Sequence, residues 1–457
     1  MILKITVVDP IECCVKREFE SLLSPCLSFK SEFWKKGRFK KERMVYDKKI
    51  FSRKTPTHLF FYTGHLQRVQ GFLNKQILPF EIEGEDWFIP PIKDAELPGI
   101  HFREDQIHLI DNALSIQRGV IKSPTGSGKT ILQLGILSAF GEPALILSHT
   151  KDIVIQTAQE AEKFGFKNVQ MIFGESKFNG KFTDGLVVST MQSFSKINPK
   201  LYCDQFAIVI IDEGHHVSSF DGTYAKILGN LLAPIRLAFT ATLPVKEEAK
   251  LALEGLIGPV IGELSMVEAM EKGILAVPKI KILRLPFSHK IRELRGYGPV
   301  QKEGVEENEA RNQMIVDKAL EHSDKNEVSL IFVNKIEHGN TLAFMFESKG
   351  VKVPFVNGET PGLERNNIKK SMIVRRRKIA IATVVWKEGI NIPSINAIFM
   401  GGGGKSELKV LQDIGRGLRS LDGKREVTIY DFFDNSHPFL IDHFGERFLI
   451  YQEMGWV

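Results

Sequence analysis

Eight residues, Ser123-Pro-Thr-Gly-Ser-Gly-Lys-Thr130, constrain this chain more than any other feature. They follow the apolar run Gly119–Lys122 and precede the apolar stretch ILQLGILSAF, so they read as strand, loop and helix in that order. Glycines let backbone N–H groups close around phosphate oxygens, and the helix start adds the positive end of its dipole. Pro124, Thr125, Gly126, Ser127, Gly128, Lys129 and Thr130 are therefore expected to cradle a nucleotide. Lys129 would reach the β- and γ-phosphates, and the Thr130 hydroxyl would hold Mg²⁺. Ser123 stands where the strict pattern has glycine.

The surrounding pattern fits an α/β fold. From residue 99 short β-branched runs alternate with helical runs, as in a parallel sheet built from βαβ units. Candidate strands are Gly119–Ser123, Ala144–Ser148, Leu186–Ser189, Ile208–Asp212 and Leu237–Thr240. A second set comprises Ser329–Val333, Val353–Val356, Lys378–Thr383, Ala397–Met400 and Val427–Tyr430. The polar stretch from Ser288 to Glu309 reads as a surface excursion. Residues 1–98 form a smaller α+β unit, with ILKITVV a strand, CCVKREFESLL a helix, 39–62 a hairpin and HLQRVQGFLNKQ a helix. A Pro-rich boundary follows, and 457 residues suit about three domains. The expected division is 1–98, 99–270 and 271–457.

Ala207-Ile-Val-Ile-Ile-Asp-Glu-Gly-His215 is an apolar strand ending in two carboxylates. Nucleotide hydrolysis needs one carboxylate near the metal and another polarising the attacking water. Asp212 is the expected Mg²⁺ partner and Glu213 the base. His215 is expected to couple this box to Thr240 and Thr242, while His216 has no assigned role.

Net charge is +6, but its placement is uneven. Between Lys30 and Lys54 stand eleven basic and three acidic residues, a local excess of +8 that leaves −2 for the remainder. Such a cluster marks a polyanion-binding patch. Lys35, Lys36, Arg38, Lys40 and Lys41 are its candidate contacts, interleaved with Phe33, Trp34, Phe39, Tyr46 and Phe51. Most of those aromatics are expected in the core, and the rest could stack on unpaired bases. No stretch reaches the ~18 apolar residues of a membrane span. No basic, apolar and cleavable start is present at MILKITVVDP, and four cysteines form no framework, so a cytoplasmic protein is expected.

SPTGSGKT, DEGH and TAT, in this order and spacing, resemble a superfamily 2 helicase or translocase. The second lobe agrees: Ala382-Thr-Val-Val-Trp-Lys-Glu-Gly-Ile-Asn391 resembles the family's fifth motif, and Gln412-Asp-Ile-Gly-Arg-Gly-Leu-Arg419 its sixth. The resemblance implies two tandem RecA-like parallel-sheet lobes, with ATP and Mg²⁺ as cofactors. It assigns Arg103 and Gln106 to adenine, and Gln412, Arg416 and Arg419 to γ-phosphate chemistry, with Arg419 the stronger finger candidate. Glu388 and Gly389 would line the cleft. Nucleic acid would lie across the strand tips, touched by His149, Thr150, Ser189, Thr190 and Gln192, and by Thr383 in the second lobe.

The layout, together with SFKSEFWKKGRFKKERMVYDKKIF and Glu309-Ala-Arg-Asn312, is similar to the UvsW-type recombination helicases of tailed bacteriophages, relatives of the RecG and XPB branch. This implies a monomer remodelling branched or forked DNA by fork regression, Holliday-junction branch migration and unwinding of D-loops or R-loops, with an RNA–DNA hybrid as a further partner. If the chain is of phage origin, it would act in the host cytoplasm. Two other readings remain open. One is an RNA helicase or RNA-remodelling ATPase, which QDIGRGLR and DEGH fit poorly. The other is the motor subunit of a restriction nuclease, for which no PD-(D/E)xK site is evident. A catalytically dead binding module is opposed by Lys129, Asp212, Glu213 and Arg416.

Overall fold

The computed structural model describes residues 2–36, 41–84, 87–141, 143–174, 178–383, 392–403 and 426–457. Two compact units emerge, Met1–Ser123 with Gly128–Ser265, and Met266–Val457 with Pro124–Ser127. Among the described residues no helix is long and apolar enough to cross a membrane.

The first unit begins with β1 (Leu3–Val7), β2 (Glu12–Lys16), β3 (Ser28–Lys36), β4 (Lys41–Lys49), β5 (Arg53–Lys54), β6 (His58–Tyr62), helix α1 (Leu66–Lys75) and β7 (Phe80–Gly84). Five strands form a mixed sheet in the order β5-β6-β2-β1-β7, and β3 and β4 pair only with each other as a two-stranded ribbon. The CCV segment is a strand rather than the expected helix. Cys13 and Val15 point inward at 0% and 1% exposure while Lys16 points out, the period-two alternation of a strand. Helix begins only after it, as a 3-10 turn at Arg17–Phe19 running into an α-helical turn at Glu20–Leu23.

A seven-stranded, all-parallel sheet follows, built from α2 (Glu104–Ile116), β8 (Arg118–Lys122), α3 (Lys129–Phe140), β9 (Ala144–Ser148), α4 (Lys151–Lys163), β10 (Gln170–Ile172), β11 (Leu186–Thr190), β12 (Ile208–Asp212), β13 (Ile235–Thr240), α5 (Glu247–Leu256) and β14 (Val260–Glu263). Its order is β10-β11-β9-β12-β13-β8-β14. Residues 208–211 are fully buried, so β12 carries apolar side chains on both faces, as central parallel strands do.

Helix α5 is shared. Leu253 and Leu256 pack into the core of the parallel sheet, whereas Leu251 joins the core of the N-terminal sheet. Around it the two parts of the unit are stitched together. Arg68 meets Glu254 in a two-pronged pair at 2.8 and 2.5 Å, and Lys48 meets Glu248 at 2.9 Å. The Nε2–H of His65 donates to the Leu251 carbonyl at 2.9 Å. That ring is wholly buried, and burial pushes its pKa down to about 4 against the opposing pull of Glu254. Gly64 allows the approach: a Cβ there would lie 2.1 Å from the Glu254 carbonyl oxygen.

The second unit is a six-stranded parallel sheet in the order β15-β20-β19-β16-β18-β17. Its elements are β15 (Val277–Arg284), α6 (Glu309–Asp324), β16 (Val328–Phe332), α7 (Ile336–Ser348), β17 (Phe355–Val356), α8 (Gly362–Ile373), β18 (Ile379–Ala382), β19 (Ile395–Met400), β20 (Glu426–Phe433) and α9 (Pro438–Glu453). Separate apolar clusters cover its two faces. Residues 288–309 are largely exposed, as expected of a surface excursion, but they are helical and tethered to the lobe. Short helices at His289–Arg292 and Tyr297–Gln301 and a π-helical turn at Lys302–Glu306 bury Ile291, Val300 and Val305 against Leu440. Each lobe is RecA-like, and the small α+β region precedes the first.

Side chains gather on one strand end in this unit. Arg311 donates to the Met400 and Gly401 carbonyls, Gln301 to Gly402 and Arg447 to Gly403. Arg447 is itself locked on Asp431 at 2.9 and 3.0 Å. The Arg-Asn pair of the EARN segment thus acts inside the lobe, with Asn312 receiving a 2.8 Å hydrogen bond from His338 Nε2.

Candidate nucleotide-binding site

Loops at the carboxyl ends of parallel strands share one edge of a sheet, and ligands of α/β folds bind there. In the first lobe the adjacent strands β11, β9, β12, β13 and β8 present at that edge, in order, Thr190 to Gln192, His149 and Thr150, Asp212 and Glu213, Thr240 to Thr242, and the glycine loop. Residues more than a hundred positions apart are therefore neighbours.

The glycine loop needs its glycines. Gly126 and Gly128 have φ of 87° and 99°, in the left-handed region that side-chain-bearing residues avoid. A Cβ on Gly128 would fall 2.8 Å from Gln106 Nε2. The Ser127 hydroxyl ties the turn by donating to the Pro124 carbonyl at 2.8 Å. Gln106 is buried and also accepts from the Arg103 amide, closing the first turn of α2, while the Arg103 guanidinium holds Asp105 at 3.0 Å.

Lys129 opens α3 and reaches Glu213 at 2.7 Å. Gln133, one turn further along the same helix face, donates to Asp212 at 3.0 Å. Burial raises both acids, but with different outcomes. For Asp212 burial and the neighbouring Glu213 charge dominate, and its pKa lies above the ordinary carboxylate range. For Glu213 the Lys129 ammonium, helped by His215, outweighs burial and holds the group well below that range. One lysine thus faces two half-buried carboxyls, a deficit of positive charge that a divalent cation fits. Asp212 and the Thr130 hydroxyl are the residues that would hold it on the sequence expectation. Glu213 has φ 53°, a left-handed backbone that is uncommon for a residue with a side chain. Gly214 then passes so close to β13 that a Cβ would lie 2.9 Å from the Ala238 Cβ.

His215 Nδ1 lies 3.4 Å from Glu213 and 3.1 Å from the Thr240 hydroxyl, which donates to the Thr242 carbonyl at 2.7 Å. With that hydroxyl hydrogen committed, Thr240 accepts and His215 Nδ1 carries the proton. His216, unassigned from sequence, stacks on His149 with ring centres 4.1 Å apart and planes at 10°. Gln192 Nε2 in turn donates to the His149 carbonyl at 3.4 Å. A continuous series of contacts therefore runs from Lys129 to Gln192. Gln133 was equally missed; the available signal was a lone amide inside an otherwise apolar helix.

The other residues expected to touch nucleic acid divide clearly. Thr150 and Thr190 cap the turns that follow them by accepting from the Ile153 and Ser193 amides. Ser189 is sealed inside the sheet with its hydroxyl 2.9 Å from the Ile172 carbonyl, so nothing outside reaches that side chain. Thr383 is buried just past β18, with its amide bonded to the Val356 carbonyl. Lys35, Lys36 and Lys41 lie on the strands of the ribbon. Arg38, Lys40, Glu388, Gly389, Gln412, Arg416 and Arg419 lie outside the described residues.

Residues 99–245 match the family described as type III restriction enzyme, res subunit, and residues 311–420 the helicase conserved C-terminal domain. The chain belongs to the superfamily 2 helicases. Among its superfamily 2 relatives is the DNA 3'-5' translocase XPB2 of Sulfurisphaera tokodaii, 28% identical over 77% of this chain and 86% of that protein. Another is the ATP-dependent DNA helicase uvsW of Enterobacteria phage T4, 24% identical over 70% of this chain and 66% of that one. Several other curated relatives are longer, and the chain spans from just over half to about two thirds of their length. The superfamily fold is also seen in S. cerevisiae Dbp5 bound to RNA and ADP BeF3, 17% identical, with a TM-score of 0.55 over 85% of this chain and 91% of that one.

Proposed function

We propose that this protein is a DNA-stimulated ATP hydrolase that moves along and remodels branched DNA. The observation that carries the reading is the set of contacts joining Lys129, Glu213, Asp212 and Gln133 at the tip of a glycine loop. Asp212 and Thr130 would hold Mg²⁺ with bound ATP, and the metal would supply positive charge for the phosphates. Lys129 leaves Glu213 for the phosphates, and Glu213, relieved of its counter-charge, becomes free to orient and deprotonate the attacking water. Gln133 fixes the Asp212 carboxylate through its 3.0 Å hydrogen bond. The chain His215–Thr240–Thr242 registers that exchange at the neighbouring strand end. Gln106 and Arg103 stand beside Gly128, where the adenine end would enter. Arg416 and Arg419 supply positive charge to the γ-phosphate on this reading.

DNA as the polymer is supported by the names of the XPB2 and uvsW relatives. A branched substrate is supported by the +8 segment, which forms a ribbon on the ATP-binding lobe itself. An ATPase and unwinding panel over single strands, forks, Holliday junctions, D-loops, R-loops and single-stranded RNA tests this. Strongest stimulation by branched DNA is expected; equal stimulation by single-stranded RNA would remove the preference for DNA. The match to a restriction-enzyme family favours one other reading, a restriction motor, and plasmid cleavage in Mg²⁺ and ATP would reveal it.

A further inference from the structure

The run Arg375-Arg-Arg-Lys378 has no part in the chemistry above, yet it walls a cavity of about 400 Å³ in the second lobe. The lining comes from Ser323 at the end of α6, residues 351–354 ahead of β17, and residues 376–379 entering β18. All three segments lie at the amino-terminal edge of the six-stranded sheet. Thr383 lies past the other end of β18, four residues and roughly 13 Å away along the strand. The cavity is therefore distinct from the strand-tip edge where ligands of parallel sheets usually bind.

Four cations, Lys352, Arg376, Arg377 and Lys378, line it, and no carboxylate does. Lys378 is fixed by donating to the Ser323 carbonyl at 3.1 Å. Lys352, Arg376 and Arg377 are exposed and, among the described residues, have no carboxylate partner, whereas nearby Lys349 is taken by Asp317. Of the acids just beyond Ser323, Glu327 is engaged by His322, leaving Asp324 as the opposing charge. Val353 and Ile379 are buried; half-buried Val351 and Pro354 add apolar surface to the wall, and every charged side chain on it is a cation. Two adjacent guanidinium forks suit phosphate oxygens, and contacts of that kind position a backbone without reading bases.

We propose that this cleft is a second nucleic-acid site, holding the phosphodiester backbone of a duplex arm other than the one engaged at the strand tips. The inference rests on the branched-DNA reading above. The test uses the full chain carrying Lys352→Ala, Arg376→Ala and Arg377→Ala together. Binding to a four-way junction is measured across a salt series, alongside ATP turnover driven by a short single strand. The log–log salt slope on the junction should fall by about 3, close to 0.9 for each phosphate no longer neutralised. Junction Kd should rise at least tenfold at physiological salt, with single-strand-driven turnover within twofold of wild type. Arg376→Glu with Arg377→Glu should weaken the junction complex further, and a circular-dichroism melt checks that each variant is folded. An unchanged junction slope and Kd in both variants overturns the site, including the case where an acidic protein is what the cleft binds. Failure of any nucleic acid to stimulate wild-type turnover would instead remove the motor reading, and the salt slope would still decide the cleft.

Discussion

Gly64→Ala tests how the N-terminal region is held. Its new methyl group would sit 2.1 Å from the Glu254 carbonyl oxygen and 2.5 Å from that of Gly255. Both are backbone atoms at the end of α5, so no side chain can swing aside. Restoring ordinary contact, about 3.4 Å, means separating the two elements by about 1 Å. The His65–Leu251 hydrogen bond, now 2.9 Å, would then exceed bonding range, and the Arg68–Glu254 pair would loosen. Overpacking costs about 1–3 kcal/mol and a buried polar group left unpaired about 1–3 more, so roughly 2–6 kcal/mol in all. For a unit of this size that lowers Tm by on the order of 10 °C. Gly71→Ala is the control. It lies in α1 with nothing within 4 Å of its would-be Cβ, and should raise stability by about 0.5–1 kcal/mol. Thermal unfolding of both variants decides the matter. A Gly64→Ala protein melting within about 2 °C of wild type would refute the close approach.

Lys129→Ala should abolish ATP turnover while leaving DNA binding largely intact, and turnover near wild type would remove the glycine-loop assignment. His216→Ala should keep basal ATPase within a few fold but reduce its stimulation by DNA, because the stack on His149 is what links the acidic box to the next strand end; equal stimulation in wild type and variant would show the stack to be packing alone. Acid should weaken both units. His65 and His338 have folded pKa values lowered by burial to about 4 and about 3, against 6.5 for the free ring. The unfolded chain therefore binds more protons between those limits, so stability is full above pH 6.5 and falls as pH drops toward 4 and then 3. His65 alone accounts for roughly 3 kcal/mol. His65→Gln, which can still donate to Leu251, should flatten the dependence of Tm on pH between 6.5 and 4, and an unchanged slope would exclude His65 as its source.

What the sequence revealed follows burial and charge. Strand β12 was legible to the residue because it is an unbroken apolar run ending in Asp212. Strand β13 was expected from Leu237 but starts at Ile235, because Arg236 looks like a boundary and is in fact fully buried. Its guanidinium donates to the Leu228, Leu231, Ala233 and Leu256 carbonyls, partners supplied by the fold and invisible in the string. Strand β20 likewise runs past its expected end at Tyr430 through Asp431, a core carboxylate held by Arg447 and Tyr451. Strands β14 and β15 lie at sheet edges, where half-exposed residues leave no apolar run to recognise. The same logic governs the site. Lys129, Asp212 and Glu213 belong to motifs with fixed spacing, but Gln133 and His216 gain meaning only from what lies opposite them.

The β3–β4 ribbon sets a length scale. Nine paired residues at about 3.3 Å each make an arm of roughly 30 Å, anchored near its base where Lys48 grips Glu248. Laid along a duplex it would cover about eight or nine base-pair steps, most of one helical turn. Two strands alone are marginal in water, so a ribbon that pairs with no third strand among the described residues gains from a surface to lie against. Its base already has such a surface, since Phe29 is buried in the N-terminal core, and a duplex would supply one for the rest.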